Sequence, residues 1–115
     1  APVTRDGPTL GRLFEALVAQ SVRVYAEAAE TRVSHLRTAQ GKKEIDLVVS
    51  RADGRVVAFE VKLAPVPRDP DVRNLLWLRD KLGEDLLDAA VITTGPAAYR
   101  RPDGIAVIPA ALLGP

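Results

Sequence analysis

The sequence contains no cysteine among its 115 residues. A disulfide framework, a thiol nucleophile and a thiolate zinc site are therefore excluded, and we expect a cytoplasmic protein. No apolar run is long enough to cross a bilayer and we recognise no signal peptide, so we expect no membrane partner. The formal net charge is only +1. A nucleic-acid partner would therefore have to be held by a local basic patch together with a metal ion.

The remaining composition is ordinary for a folded domain. Apolar residues make up 47% of the chain and charged residues 27%, a balance far from that of disordered proteins. The length suits one domain with one core, and we take residues 1–115 as that single domain. The loose opening over residues 1–8 and the absence of Met at position 1 predict that this is a piece of a longer chain.

A predicted β-hairpin organises the rest of the chain. Residues 44–50 and 55–63 alternate in the manner of strands, and the Ala52-Asp53-Gly54 sequence between them is typical of a turn. A three-residue loop with Gly54 in the left-handed conformation keeps apolar residues opposite each other, whereas a two-residue loop would mix them with acids. The predicted register keeps Ile45, Leu47 and Val49 on one face and pairs Ile45 with Val61, Leu47 with Phe59, and Val49 with Val57.

This register brings acidic side chains together on the other face of the hairpin. It places Asp46 opposite Glu60 and Glu44 opposite Lys62. Facing carboxylates repel each other, more strongly once they are buried, so we expect a compensating partner. A divalent cation is the simplest one, because Mg²⁺, Mn²⁺ and Ca²⁺ prefer hard carboxylate oxygens. Lys62 lies on the same face as Glu60 and would reach a phosphate or a metal-bound water.

The alternative for these charged residues is an ordinary solvent-facing strand surface. Val48, Val56 and Ala58 lie among the charges on the same face, which makes this side apolar enough to be covered. A covered acid pair needs a partner, and this favours the metal site.

Apolar periodicity and capping residues outline the helices. A first helix is predicted from residue 9 to about residue 29, and Glu15 projects from the edge of its apolar stripe, either into a helix–sheet interface or into solvent. Prolines then take the chain out of the sheet after the hairpin. Asp69 as N-cap and Pro70 after it start a second helix, which Gly83 ends.

Further strands are predicted at residues 33–38, 86–94 and 105–108, with an exposed loop at Tyr99-Arg100-Arg101 and a short turn at 110–113. A strand that follows a crossover helix runs parallel to its partner. The predicted fold class is therefore α/β, with a mixed central β-sheet flanked by helices in αβββαββ order.

Several other side chains have both a structural and a functional interpretation. His35 has no second His or Cys near it, and we expect a structural or surface role. Trp77 is expected to pack rather than to stack on a base. The basic residues near the strands either meet phosphates or form solvated charge clusters. The set that we predict for nucleic-acid binding is Arg37, Lys42, Lys43, Arg100 and Arg101.

Glu15 on a helix, Asp46 on a strand and Glu60-Val61-Lys62 on the next strand together resemble the PD-(D/E)XK nuclease superfamily of restriction endonucleases and Holliday-junction resolvases. Further segments are similar to the C-terminal domain of prokaryotic AAA-type ATPases: residues 11–15, the strand with Arg37, and residues 44–46, 59–62, 76–78, 93–95 and 108–109. The resemblance covers roughly residues 9–114. It implies a restriction-endonuclease-like fold attached in cis to an N-terminal ATPase module. This sequence has no phosphate-binding loop, so any ATP site would lie in that module.

The resemblance also implies a role for each residue. Asp46 and Glu60 would bind Mg²⁺, or Mn²⁺ as a substitute, together with the Val61 carbonyl. Glu15 would add a carboxylate directly or through water, and Lys62 would orient or help to deprotonate the attacking water. Cleavage of a phosphodiester needs a hydroxide near neutral pH and a counter-charge for the transition state, and bound divalent ions supply both.

The sequence is consistent with two functions. The first is a Mg²⁺-dependent endonuclease-like hydrolase that acts on DNA. The second is a non-catalytic nucleic-acid-binding or partner-docking module of the ATPase, favoured by the near-neutral charge and the modest basic cluster. A sugar hydrolase with paired carboxylates fits less well, because a lysine beside the second acid suits a phosphate better. Whether two copies form a homodimer is left open.

Overall fold

The structure is a computed structural model that describes residues 32–38 and 43–113. The described strands are β1 (Arg32–Arg37), β2 (Glu44–Ser50), β3 (Val56–Val61), β4 (Leu86–Thr93), β5 (Tyr99–Arg100) and β6 (Ala106–Pro109), and the helix between β3 and β4 is α1 (Asp69–Leu82). Short 3-10 turns cover Gly83–Asp85 and Ala110–Leu113. The predicted N-terminal helix, with Glu15, and the opening over residues 1–8 lie outside the described residues.

One mixed sheet contains all six described strands, in the order β1-β2-β3-β4-β6-β5. Strand β2 is antiparallel to β1 and to β3, whereas β4 is parallel to β3 and to β6. The α/β class and the parallel crossover through α1 are therefore confirmed. The predicted exposed loop at residues 99–101 is wrong, because Tyr99 and Arg100 form the short edge strand β5, antiparallel to β6.

The turn between β2 and β3 follows the predicted three-residue geometry. Gly54 has a φ of 86°, a left-handed conformation that glycine adopts without steric cost. Its amide donates to the Arg51 carbonyl at 3.1 Å, and the Arg51 amide donates to the Arg55 carbonyl at 2.9 Å. The register that results pairs Leu47 with Phe59 and Val49 with Val57, as predicted.

A β-bulge interrupts β2 near its start. The register between β1 and β2 shifts by one residue between Ser34 and Leu36. Two residues of β2, Asp46 and Leu47, therefore face the single residue His35 of β1. Such an insertion re-aims the side chains around it, and it falls where the alternation of β2 gives way to three consecutive apolar residues, Leu47, Val48 and Val49.

The bulge inverts the side-chain alternation at the start of β2. Ile45 packs with Val48 in the core beneath α1, whereas Leu47 belongs to a separate cluster with Val49. The predicted common face for Ile45, Leu47 and Val49 is therefore wrong. Pairing of β2 with β3 ends at Leu47–Phe59. The predicted pairs beyond that point are not formed in the ladder: Ile45 with Val61, Asp46 with Glu60, and Glu44 with Lys62.

Two apolar clusters hold the sheet. The larger one packs Val72, Leu75 and Leu78 of α1 against strand residues Ile45, Val48, Ala58, Ala89 and Val91, with Ile105 beside them. The smaller one contains Leu47, Val61 and Ile92. Each fully buried aliphatic side chain contributes roughly 1.5–3 kcal/mol relative to its exposed state. Both clusters include residues of β2 and β3. Apolar packing therefore fixes the position of the two strands that carry Asp46 and Glu60.

Helix α1 begins one residue earlier than the sequence predicts. Its N-cap is Arg68 rather than Asp69. The carboxylate of Asp71, in the first turn, accepts a hydrogen bond from the Arg68 amide at 2.8 Å. Pro70 also lies in this turn, where its missing amide hydrogen leaves no bond unmade. Gly83 ends the helix with a φ of 54°, as predicted. Among the helices within residues 32–38 and 43–113, none is long and apolar enough to span a membrane.

Two loops meet at the carboxyl ends of β3 and β4. The Thr94 amide donates to the Ala64 carbonyl at 3.2 Å, and the buried Thr93 hydroxyl accepts from the Gly95 amide at 3.2 Å. A Cβ on Gly95 would lie only 2.2 Å from the carbonyl oxygen of Pro65. Glycine is therefore required at position 95 by the close approach of two backbone segments.

We expect Gly95→Ala to lower the free energy of unfolding by about 1–3 kcal/mol, because the added methyl group forces the two loops apart. Urea unfolding followed by circular dichroism measures this. Thr94→Ala is the matched control, since Thr94 is exposed and contributes its amide rather than its side chain to the loop contact. Equal stability of the two variants would contradict the steric explanation.

Candidate functional site

The candidate site lies where β2 and β3 separate. The amide of Lys62 donates to the Ile92 carbonyl of β4 at 2.9 Å. Successive amides of a strand point in opposite directions, so the amide of Val61 faces β2. There it donates to Oδ2 of Asp46 at 2.8 Å. The Asp46 carboxylate thus takes the place of a backbone carbonyl beyond the end of the β2–β3 ladder.

Glu60 lies beside this hydrogen bond. Burial raises the pKa of Glu60 from 4.5 to about 8, and the charge of Asp46 and a hydrogen bond to Asp46 act in the same direction. Its Oε1 atom is buried and has no hydrogen-bond partner among the described residues. The structure therefore brings the carboxyl groups of Asp46 and Glu60 together through the bulge, not through the ladder pairing that the sequence predicts.

Asp46 and Glu60 differ from the other partly buried acids of this part of the chain. Six described acids are partly buried, and four of them have a basic partner: Glu44 with Arg37, Asp71 with Lys62, Asp88 with Arg100, and Asp103 with Arg101. Among the described residues, neither Asp46 nor Glu60 has such a partner. Two adjacent carboxyl groups without a counter-charge are costly to ionise. This repulsion contributes to the elevated pKa of Glu60.

The ammonium of Lys62 points to helix α1. Strand β3 ends at Val61, and Lys62 Nζ lies 3.2 Å from Oδ1 of Asp71. Glu44, which the sequence places across from Lys62, instead pairs with Arg37 at 2.9 Å. The sequence does not point to Asp71 as a functional residue. A capping box is recognised from a Ser, Thr, Asp or Asn at the N-cap, whereas the N-cap here is Arg68.

Glu44 is the centre of a surface cluster on β1 and β2. His35 Nε2 lies 3.1 Å from its Oε1 atom, and His35 Nδ1 lies 3.4 Å from the Asp46 carbonyl. The hydrogen bond and charge of Arg37 lower the pKa of Glu44. His35 is exposed, in agreement with the surface role expected for it.

The residues predicted to bind nucleic acid are dispersed. Arg37 pairs with Glu44, and Lys43 lies 5.9 Å from the centre of the Trp77 ring. Trp77 itself packs against the core beneath α1, as expected. Lys42 lies outside the described residues.

The two arginines near β5 are engaged within the fold. Arg100 forms a bidentate pair with Asp88, at 2.9 and 3.0 Å. Arg101 is not in an exposed loop as predicted, because its side chain is only 12% exposed. It donates to the Pro67 carbonyl and to the carboxylates of Asp69 and Asp103. Arg101 therefore fastens the loop before β6 to the start of α1.

The donor atoms at Asp46 and Glu60 suit a hard divalent cation. Both side chains offer carboxylate oxygens, which Mg²⁺ and Mn²⁺ prefer, and Oε1 of Glu60 has no other partner among the described residues. Within residues 32–38 and 43–113, no group of three or more His, Cys, Asp or Glu side chains is arranged to hold a metal. Glu15, the predicted third carboxylate, lies outside these residues, and at Val61 the engaged group is the amide.

We expect Glu60→Gln to change how stability depends on pH. The folded-state pKa of Glu60 is raised, so its contribution to stability is complete below about 4.5 and is lost as the pH rises towards about 8. The variant removes this loss. Its unfolding free energy relative to the parent should therefore increase between pH 5 and pH 8.5 by about 3–4 kcal/mol, because each pH unit over which only the unfolded state is ionised contributes about 1.4 kcal/mol.

Urea unfolding at the two pH values, without divalent ions, measures the difference. The matched control is Glu84→Gln, since Glu84 is an exposed acid in the turn after α1. An identical pH dependence in the parent and in Glu60→Gln would contradict the burial of an uncompensated carboxyl pair.

Comparison with known proteins gives one family-level result. The model of a family described as a domain of unknown function, DUF4143, matches residues 10–113. No curated protein and no solved structure matches the chain significantly. The matched range contains every described strand, helix α1, and both Asp46 and Glu60. The chain therefore belongs to the DUF4143 family of domains of unknown function.

Proposed function

We propose that this domain is a metal-dependent DNA phosphodiester hydrolase of the PD-(D/E)XK type. In this proposal it acts in the cytoplasm, uses Mg²⁺, and is attached to an AAA-type ATPase module in cis. The observation that carries the proposal is the carboxyl pair of Asp46 and Glu60. Among the described residues, this pair has no basic partner, and one of its buried oxygens has no hydrogen bond.

Electrostatics supports a cation at this pair. With no cation, Glu60 remains largely protonated at neutral pH, because its pKa is about 8. A divalent ion would favour the ionised form of both acids, since an opposite charge within a few ångströms lowers the pKa of a carboxyl group. Mg²⁺ bound there would activate a water and neutralise charge on the phosphate.

The protein residues would each have a distinct task. Asp46 is held by the Val61 amide through one oxygen, which fixes the direction of its carboxylate. Glu60 is held by β3, whose neighbouring strands lie on both sides. Lys62 is half exposed and carries three N–H donors, so it can contact a phosphate while it keeps a protein partner. Glu15 would add a third carboxylate.

A second function is a non-catalytic nucleic-acid-binding or partner-docking module of the ATPase. The engagement of basic side chains by acids favours the partner-docking form of this function over nucleic-acid binding. Arg37, Arg100 and Arg101 each form an ion pair within the domain, and a phosphate would have to compete with these carboxylates.

We expect the 115-residue chain to nick supercoiled plasmid DNA in Mg²⁺ or Mn²⁺. Asp46→Asn, Glu60→Gln and Lys62→Ala should each reduce the rate by on the order of 100-fold or more, because each removes a group that binds the ion or the phosphate. Gel electrophoresis of the plasmid measures nicking. Lys81→Ala is the matched control, since Lys81 is an exposed lysine in the last turn of α1.

The alternative gives a different result in the same preparation. Salt-sensitive binding to DNA without cleavage in either metal would contradict the hydrolase and favour the binding module. Cleavage that survives in all three site variants would indicate a contaminating nuclease and would also contradict the proposal.

A further inference from the structure

The position of the Lys62 ammonium depends on a residue that has no place in the predicted site. Lysine has a long, flexible side chain with many rotamers. Lys62 follows the last residue of β3, and its side chain is half exposed, so strand packing alone does not fix it. The contact that does so is the ion pair with Asp71 at 3.2 Å.

Asp71 is itself held firmly. Its side chain is only 15% exposed, and its Oδ2 atom accepts from the Arg68 amide at 2.8 Å while its Oδ1 atom contacts Lys62. Burial acts to raise the pKa of Asp71, but the hydrogen bonds from the Arg68 amide and Lys62 outweigh it and lower the pKa overall. Asp71 is therefore an ionised acceptor with one oxygen committed to the helix cap and one to the lysine.

Helix α1, which carries Asp71, packs against the sheet and is hydrogen-bonded to β2 near the candidate site. Val72 and Leu75, next to Asp71 along the helix, are fully buried against the sheet. The side-chain amide of Asn74 donates to the Glu44 carbonyl at 3.0 Å, and this bond links the first half of α1 to the start of β2, two residues before Asp46. Through the ion pair with Asp71, Lys62 is therefore connected by α1 to β2 and β3, the strands that carry Asp46 and Glu60.

We propose that Asp71 is a positioning residue for Lys62: it holds the ammonium in place through one N–H donor, while the other two, which have no partner among the described residues, can donate to a phosphate oxygen. This inference rests on the proposed hydrolase function. Catalytic groups act only when their supporting residues restrict them to the productive geometry. A capping role alone would not require the second oxygen of Asp71 to contact the lysine.

The informative variant is Asp71→Asn. Asparagine keeps an oxygen for the Arg68 amide, so the cap can persist, but it removes the charge that holds Lys62. We expect kcat for cleavage of a short DNA duplex in Mg²⁺ to fall by about 10-fold, with a smaller change in KM. In a Lys62→Ala background the same substitution should have no further effect. Asp69→Asn is the matched control, because Asp69 is a first-turn acid that pairs with Arg101 rather than with Lys62.

A second readout needs neither metal nor cleavage. Reductive methylation with ¹³C-formaldehyde labels the lysines and retains their charge, and the Lys62 signal is identified by its absence in Lys62→Ala. We expect this signal to shift in Asp71→Asn and to stay in place in Asp69→Asn. A Lys62 signal that does not respond to Asp71→Asn would overturn the inference.

The outcomes separate the inference from the function on which it rests. If the parent chain cuts DNA and Asp71→Asn cuts equally fast, the positioning role is wrong while the hydrolase stands. If Asp71→Asn cuts faster, Asp71 restrains Lys62 instead of positioning it, and the inference is again overturned. If the parent chain does not cut in Mg²⁺ or Mn²⁺, the hydrolase is refuted and the positioning role is refuted with it.

Discussion

The hydrogen bond from the Val61 amide to the Asp46 carboxylate is the contact on which the candidate site depends. The ladder between β2 and β3 ends at Leu47 and Phe59, beside the bulge in β2. The next β3 amide that faces β2, that of Val61, therefore needs an acceptor other than a β2 carbonyl. An unpaired buried amide costs about 1–3 kcal/mol. Asp46 satisfies it and is thereby drawn to the end of β3, next to Glu60.

This hydrogen bond satisfies the Val61 amide but places the carboxyl groups of Asp46 and Glu60 side by side, where their charges repel each other. Glu60 is partly buried beside Asp46, and neither acid has a basic partner among the described residues, although the four other partly buried acids of that region all have one. Because the pKa of Glu60 is about 8, this side chain keeps its proton at neutral pH, and the repulsion between the two acids is avoided. The proton occupies the place of a positive charge, and a cation that displaces it would restore the ionised pair.

The sequence predicted the features that depend on local chemistry. Gly54 and Gly83 adopt the positive φ values that a turn and a helix end require, and the crossover through α1 makes β4 parallel to β3. The bulge was not predicted, because the three consecutive apolar residues Leu47, Val48 and Val49 also fit a regular strand that is covered on both faces, and the shift itself arises from pairing with β1. Arg101 was misplaced for a similar reason: its partners Pro67 and Asp69 are more than 30 residues away along the chain.

The same distinction explains why the site was predicted only in part. Strand alternation identified Asp46, Glu60 and Lys62, but the partners of these residues are set by tertiary packing. Lys62 pairs with Asp71 because α1 docks over β3 through its buried Val72 and Leu75. The helix that covers the sheet therefore supplies more than apolar surface. It directs Lys62, the one basic side chain of the predicted catalytic set, whereas the bulge brings Asp46 to the end of β3, and the proposed chemistry requires both.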